Sequence, residues 1–252
     1  MGRDFRRGVL AIESETMTVL AGWGEMALAL IAFFVSHVVP ARPAIRQSLQ
    51  THLGRVGYGV MYSAVSLGVL AWLIAAARNA PHVQLWDFEP WQLWVPNVVM
   101  PFVCVLIAFG IAAPNPFSIA GRGSASFDPN RPGIAGITRH PLLLAITLWA
   151  LAHMVPNGDA AHVLLFGLFA LFGIAGMAAV DGRKRKQWGR ALWEKRTAKT
   201  SAFPFAALFQ GRVRLRDIRL DLEPWRIAAA LVLYVALLAA HPIVIGVSPL
   251  PS

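Results

Sequence analysis

The chain has 252 residues, of which 56% are hydrophobic and only 14% are charged, whereas soluble domains carry about 25% charged residues. The formal net charge of +10 is concentrated, because the tract 181–226 holds 13 of the 23 lysines and arginines. The single cysteine excludes an internal disulfide and a cysteine-based metal cluster. This composition predicts an integral membrane protein rather than a soluble enzyme.

Apolar segments long enough, or nearly long enough, to cross a membrane follow one another along the chain. They predict an all-α fold, a polytopic membrane helix bundle of about six transmembrane helices. In chain order the segments are 18–39, 56–77, 95–113, 141–155, 161–180 and 227–246. The fourth is short, since a full crossing takes about 20 residues. Residues 1–16 are polar and are expected to be a non-native extension before a membrane domain at 17–252.

Loop charge predicts how these helices are oriented. The loop 181–226 carries thirteen basic residues against five acidic ones, so the positive-inside rule places it in the cytoplasm. Counting back through the helices places the loops 40–55 and 114–139 on the same side, and both chain ends outside. The sequence therefore predicts a multi-pass protein of a bacterial inner membrane.

The basic tract is interpreted as a topology signal that rests against anionic lipid headgroups. A nucleic-acid partner is not expected, because no nucleic-acid-binding motif accompanies the charge. The sequence also lacks a Walker phosphate loop, a metalloprotease histidine pair and a nucleophile elbow. The predicted partner is the lipid bilayer.

Ionisable residues inside the spans are the candidates for function, because lipid cannot hydrate them. Histidine is prominent among them, and two histidines from different helices commonly hold a haem iron. For each one the alternative is a hydrogen bond that satisfies a helix end. His140 and His241 also precede proline, which alone favours a helix boundary. The full set is Glu25, His37, His140, His153, His162 and His241.

Helix geometry limits which histidines can share one iron. His140 and His153 are thirteen residues apart on one predicted helix, which is roughly 20 Å. By the predicted topology, His37 lies at the cytoplasmic side with His140, whereas His153 lies toward the outer side with His241. Both pairings remain open from the residues alone.

Several short motifs together resemble the NnrU family, and the resemblance covers most of the chain from about Met17 onward. The spacing of RHP and LAH, with histidines thirteen residues apart, is moderately specific, whereas RHP alone is weak. The motifs are Ser36-His37, Leu53-Gly54 with Tyr58 and Tyr62, Thr138-Arg139-His140-Pro141, Trp149-Ala150-Leu151-Ala152-His153, Asn157-Gly158-Asp159 and His241-Pro242.

The resemblance implies a bacterial membrane protein associated with denitrification. The family is related to the plastid zeta-carotene isomerase, a membrane haem b protein, and is distantly similar to isoprenylcysteine methyltransferases. Carried over from the isomerase, the haem ligands are His37 and His153, with His140 as the alternative partner. The isomerase has a cysteine three residues before its second ligand, where this chain has Ala150.

We therefore hypothesise a haem b protein that supports nitrite and nitric oxide reduction by responding to redox state or nitric oxide. Denitrification proteins are possible partners under this hypothesis. Two other classes stay open. One is a membrane enzyme, either a carotenoid-type cis–trans isomerase or an S-adenosylmethionine-dependent methyltransferase that uses Arg139 and His140. The other is a cofactor-free assembly protein.

Overall fold

The computed structural model describes the backbone of residues 2–40, 42–119, 121, 127–218 and 224–251, with side chains from residue 19 onward. The predicted extension 1–16 lies outside the residues whose side chains are described. The chain forms two compact units, one comprising 1–86 with 159–165 and the other 87–158 with 166–252. The described part is helical and contains one isolated β-bridge, between Gln84 and Asp159.

The long helices confirm the all-α membrane bundle. They are α1 (Gly2–Val38), α2 (Pro43–Asn79), α3 (Trp94–Gly110), α5 (Pro141–Met154), α6 (Ala160–Thr197) and α8 (Pro224–Val244). Among the described residues, five helices are long and apolar enough to cross a membrane, and α5 is shorter. Short helices α4 (Ile134–Ile137) and α7 (Ala206–Phe209) and the 3-10 turns Pro90–Leu93 and Leu215–Asp217 lie between them. Much of their apolar surface faces outward, since only 6% of the α8 window is buried, as expected in lipid.

In the first unit, α1 and α2 pack as a helical hairpin. Met26, Ala29 and Phe33 of α1 are buried, as are Leu73 and Ala76 of α2. Tight packing also occurs at Gly22, where an added Cβ would lie 2.8 Å from Pro81.

The acid Glu25 in α1 accepts a hydrogen bond from the indole N–H of Trp72 at 3.3 Å. This partner on the neighbouring helix satisfies a polar group that lipid cannot hydrate.

In the second unit, α3 packs against both α5 and α8. The contact between α3 and α5 is close, because a Cβ on Gly110 would lie 2.8 Å from Pro141. A buried apolar cluster fills this interface, formed by Val103 and Leu106 with Leu144 and Ala145.

Two helices continue into segments that the sequence predicts as loops. α2 begins at Pro43, inside the predicted 40–55 loop, and α6 continues to Thr197, inside the predicted 181–226 loop. Each is broken by a glycine with left-handed backbone: Gly54 has φ 70° and ψ 170°, and Gly189 has φ 72° and ψ 169°. Hydropathy marks only the apolar part of each helix, so the polar continuation was not anticipated.

The segment after α6 folds back as an ordered loop with a small core of its own. Ala207, Val213 and Ile218 are buried together. The guanidinium of Arg212 donates to the carbonyls of Ala198 at 2.8 Å and Thr200 at 2.9 Å, which satisfies backbone groups just beyond the end of α6.

The same loop leaves three large apolar side chains exposed. Phe209 is 87% exposed, Phe203 77% and Leu215 76%. Apolar residues this exposed at the edge of membrane-spanning helices are suited to contact with lipid.

Candidate functional site

Arg139 and His140 lie at the start of α5, where the chain enters the bundle from α4. His140 has non-helical backbone (φ −122°, ψ 60°) and directly precedes the helix, with Pro141 at the first helical position. Proline suits this position because its missing N–H would be unpaired there anyway. The helix-boundary interpretation of His140 is therefore confirmed, and both side chains are buried.

Asp181 joins these two neighbouring side chains. One carboxylate oxygen accepts a hydrogen bond from His140 Nε2 at 2.9 Å, and the other forms an ion pair with the guanidinium of Arg139. Asp181 follows directly after the apolar part of α6, so the pair links the start of α5 to α6. Sequence reasoning missed Asp181, although an acid ending an apolar span among basic residues was a usable signal.

Further hydrogen bonds hold the backbone and side chain of Arg139. Its guanidinium donates to Thr200 Oγ1 at 3.2 Å, and its backbone N–H donates to the carbonyl of Ser201 at 2.8 Å. The Asn115 amide donates to the Arg139 carbonyl at 3.0 Å and accepts from the backbone N–H of Phe117. The RHP motif therefore organises the fold where four chain segments meet.

Two polar atoms of this network have no hydrogen-bond partner within the described part of the chain. They are Nε of Arg139 and Nδ1 of His140, and both are buried. Because His140 Nε2 donates its proton to a carboxylate, Nδ1 carries the ring's lone pair. The other two guanidinium nitrogens of Arg139 bond to Thr200 and Asp181. They are therefore not free to bind a charged cofactor.

Aromatic rings cover the network on one side. The Phe117 ring is fully buried, with ring centroids 5.5 Å from Trp188 and 5.9 Å from Trp193. The Arg139 guanidinium lies 5.4 Å from the centre of the Trp193 ring, a cation–π distance. The break at Gly189 separates the two tryptophans, so both rings reach Phe117.

His153 lies at the far end of α5 among aromatic rings. Its centroid is 5.4 Å from that of Trp149 and 5.7 Å from that of Phe166. Its Nδ1 is 2.8 Å from the carbonyl of Trp149. A carbonyl only accepts, so Nδ1 carries the proton and Nε2 the lone pair.

His37, near the end of α1 in the other unit, has the same ring arrangement. Its Nδ1 lies 2.8 Å from the carbonyl of Phe33, so the proton is again on Nδ1. The Phe33 ring centroid is 4.1 Å away and that of Tyr62 is 6.0 Å away.

The other two candidate histidines, His162 and His241, make local hydrogen bonds. His162 Nδ1 pairs with Asp159 at 2.7 Å, and His241 Nδ1 lies 2.8 Å from the Val247 carbonyl. α8 continues past His241 to Val244 with Pro242 inside it, so His241 does not end the helix.

The structure separates His140 from His153, since they lie at opposite ends of α5, roughly 20 Å apart along its axis. His37 belongs to the first unit and is described only within it. Among the described residues no group of three or more His, Cys, Asp or Glu side chains is arranged to hold a metal ion. Two-histidine ligation of haem does not require such a group.

The family model for the NnrU protein matches residues 25–249, which is most of the chain. The chain belongs to the NnrU family. It is 27% identical over 248 residues to the chloroplastic 15-cis-zeta-carotene isomerase of Arabidopsis thaliana, which covers 93% of this chain and 64% of that protein. The maize (Zea mays) protein of the same name is 24% identical over 227 residues, covering 87% of this chain and 60% of its own length.

This NnrU-family chain thus spans about three fifths of the length of these curated relatives. No solved structure matches it. The histidine chemistry described above is therefore interpreted from this chain's own geometry.

Proposed function

We propose that this NnrU-family chain is a membrane haem b protein in which His37 and His153 would hold the haem iron. The supporting observation is the ring arrangement that both share, in which Nδ1 donates to a carbonyl one turn earlier at 2.8 Å. Metal-binding histidines commonly donate their second ring N–H in this way, which fixes the ring orientation and the tautomer. The lone pair then lies on Nε2, the outer ring nitrogen.

His140 suits this role less well than the other two histidines. Its Nε2 donates to Asp181, so its lone pair lies on Nδ1. That nitrogen is bonded to Cγ, on the side of the ring nearer the backbone, where there would be less room for a large flat cofactor than at Nε2. His37 and His153 are therefore preferred, and His140 remains the alternative partner.

The surroundings of the two preferred histidines also suit a large apolar cofactor. Trp149 and Phe166 flank His153, and Phe33 and Tyr62 flank His37. Bound haem would supply one-electron redox chemistry and an iron that binds diatomic gases. In this role the protein supports denitrification by responding to redox state or nitric oxide, and the histidines' part is to hold the iron.

The test is an optical spectrum of the full-length protein purified in detergent after haem-replete expression, oxidised and then reduced with dithionite. Wild type should show a Soret band with sharp reduced bands, and His37→Ala and His153→Ala should each lose or shift them. His52→Ala is the matched control, because His52 makes the same one-turn bond, to Ser48 at 2.8 Å, but is exposed. Wild type without a Soret band would refute the proposal.

A second function is favoured by the curated relatives, which are isomerases by name. In this alternative the protein changes the configuration of a double bond in a hydrophobic polyene. The chain departs from the isomerase at Ala150, which is fully buried and has no thiol. Incubation of the reduced protein with a cis-configured polyene, followed by chromatography, tests the activity. Isomerase activity in Ala150→Cys but not in the wild type would show that the missing thiol at this position accounts for the difference.

A further inference from the structure

Two cationic side chains approach the same indole ring at the end of α6. The Lys184 ammonium lies 5.2 Å from the centre of the Trp188 ring, and the Arg196 guanidinium lies 4.4 Å from it. All three side chains are partly buried, in a tract where most of the other basic residues are exposed. The shared ring therefore holds two like charges close together.

The break at Gly189 creates this arrangement. Lys184 precedes Trp188 by one helical turn and would meet it in any helix. Arg196 follows Trp188 by eight residues, which is about 12 Å along a straight helix. The left-handed backbone of Gly189 turns the chain so that Arg196 returns to the ring.

Neither cation has a carboxylate partner among the residues that the structure describes. The ion pairs found there engage Asp181 with Arg139 and His140, Asp159 with His162, and Glu194 with Arg190. Between 183 and 199 the sequence holds eight basic residues and one acidic residue. Two half-buried cations that repel one another are best stabilised by an anion from outside the chain.

The position of these residues along the membrane normal indicates which kind of anion they can meet. The uncharged part of α6 runs from Ala160 to Val180, about 31 Å at the usual helical rise, which matches the hydrocarbon core. Lys184 lies four residues further, or about 6 Å, within the headgroup layer of about 5 to 8 Å. Lipid phosphates occupy this layer.

We propose that Lys184 and Arg196, together with Trp188, form a binding site for the phosphate of an anionic phospholipid in the cytoplasmic leaflet. The guanidinium offers a two-pronged donor that matches phosphate, and the ammonium adds a compact charge. The indole keeps the two cations in place, since tryptophan is favoured at the membrane interface. The site is independent of haem binding.

The experiment is native mass spectrometry of the full-length protein in neutral detergent, titrated with dioleoyl phosphatidylglycerol or dioleoyl phosphatidylcholine. Wild type should bind one phosphatidylglycerol more tightly than it binds phosphatidylcholine. The double variant Lys184→Gln/Arg196→Gln should bind phosphatidylglycerol about 10- to 30-fold more weakly, because it removes both charge-assisted hydrogen-bond donors to the phosphate. The exchange Lys184→Arg/Arg196→Lys should retain most of the affinity, which separates lost charge from misfolding.

The matched control is Arg185→Gln/Lys186→Gln, which removes the same charge from exposed positions of the same tract. It should weaken binding by no more than about threefold, since general electrostatic attraction is spread over many residues. Equal losses in the two double variants would overturn the proposal in favour of overall charge. Displacement of the lipid by millimolar inorganic phosphate would overturn the lipid assignment and indicate a site for free phosphate.

Discussion

Asp181 is the residue on which the arrangement of the RHP motif depends. It holds Arg139 with one oxygen and His140 with the other. The motif was noticed in the sequence for its histidine, as a possible iron ligand. Its partner lies on a different helix, 41 residues after His140, and the sequence indicates it only as an acid that ends the apolar part of that helix.

We expect Asp181→Asn to destabilise the protein strongly. The substitution leaves Arg139 buried without its counter-charge, and breaking a buried ion pair on one side costs roughly 3–5 kcal/mol. Glu194→Gln is the control, since that pair with Arg190 is exposed (60% and 83%) and exposed ion pairs contribute little to stability. Thermal unfolding in detergent measures both; a similar melting temperature for the two variants would contradict the structural role of Asp181.

Asp159 lies just before α6, and we expect its shifted pKa to make the stability of the protein depend on pH. Burial raises the pKa of its carboxyl, but hydrogen bonds from the side chain and backbone of His162, and the nearby charges of His162 and His82, lower it more. The folded-state pKa is thus below the unfolded value near 3.8, so the carboxylate stabilises the fold above that pH and loses its effect as pH falls through the folded value.

Asp159→Asn should therefore remove part of the acid sensitivity. Asparagine can still accept a bond at the helix N-terminus, so the loss at neutral pH should be about 1 kcal/mol or less. Melting temperatures of wild type and variant between pH 7 and pH 3 measure the effect. Parallel curves over that range would show that another group is responsible.

At the scale of elements, α6 packs closely against α5. A Cβ on Gly173 would lie 2.2 Å from Thr147 Oγ1 and 2.9 Å from the Leu143 carbonyl, both on α5. Small residues at such positions let helix backbones approach closely in membranes. The sequence predicts 141–155 and 161–180 as consecutive spans, and this glycine allows their close contact.

We expect Gly173→Ala to destabilise the α5–α6 contact by about 1–3 kcal/mol through overpacking. Gly167→Ala, in the same helix, should be close to neutral, because its Cβ would meet only Met154 at 3.5 Å, an ordinary contact distance. Both residues are helical, so helix propensity favours alanine equally in each. Thermal unfolding of the two variants side by side is the measurement, and equal stability would argue against the tight contact.

The elements themselves were largely predictable, and their polar extensions were not. Apolar length identified each long helix because lipid excludes unpaired backbone groups. The helix before Gly54 and the one after Gly189 are polar, so they lack that signal. The side-chain network around Arg139 depends on contacts between segments that are distant in the sequence. It could therefore not be predicted from the sequence either.

At the scale of the whole molecule, the orientation in the membrane remains a prediction from loop charge. In a Cys104→Ala background, Lys186→Cys should react with a membrane-impermeant maleimide only after permeabilisation of the inner membrane. Ser248→Cys, after the last span, should react in intact spheroplasts. Cys104 is fully buried, so it should react little with the maleimide, and its replacement should not change how the introduced cysteines are labelled. The reverse pattern would invert the topology and place the phosphate site in the outer leaflet.

The glycine breaks in α2 and α6 have nearly identical dihedral angles, and an arginine follows each, Arg55 and Arg190. Neither break removes a backbone donor as a proline kink would. Each break separates a long apolar helix from a short polar helix. The two helices therefore need not share one hydrophobic face. Substitutions in the polar helix should therefore leave the register of the apolar helix unchanged.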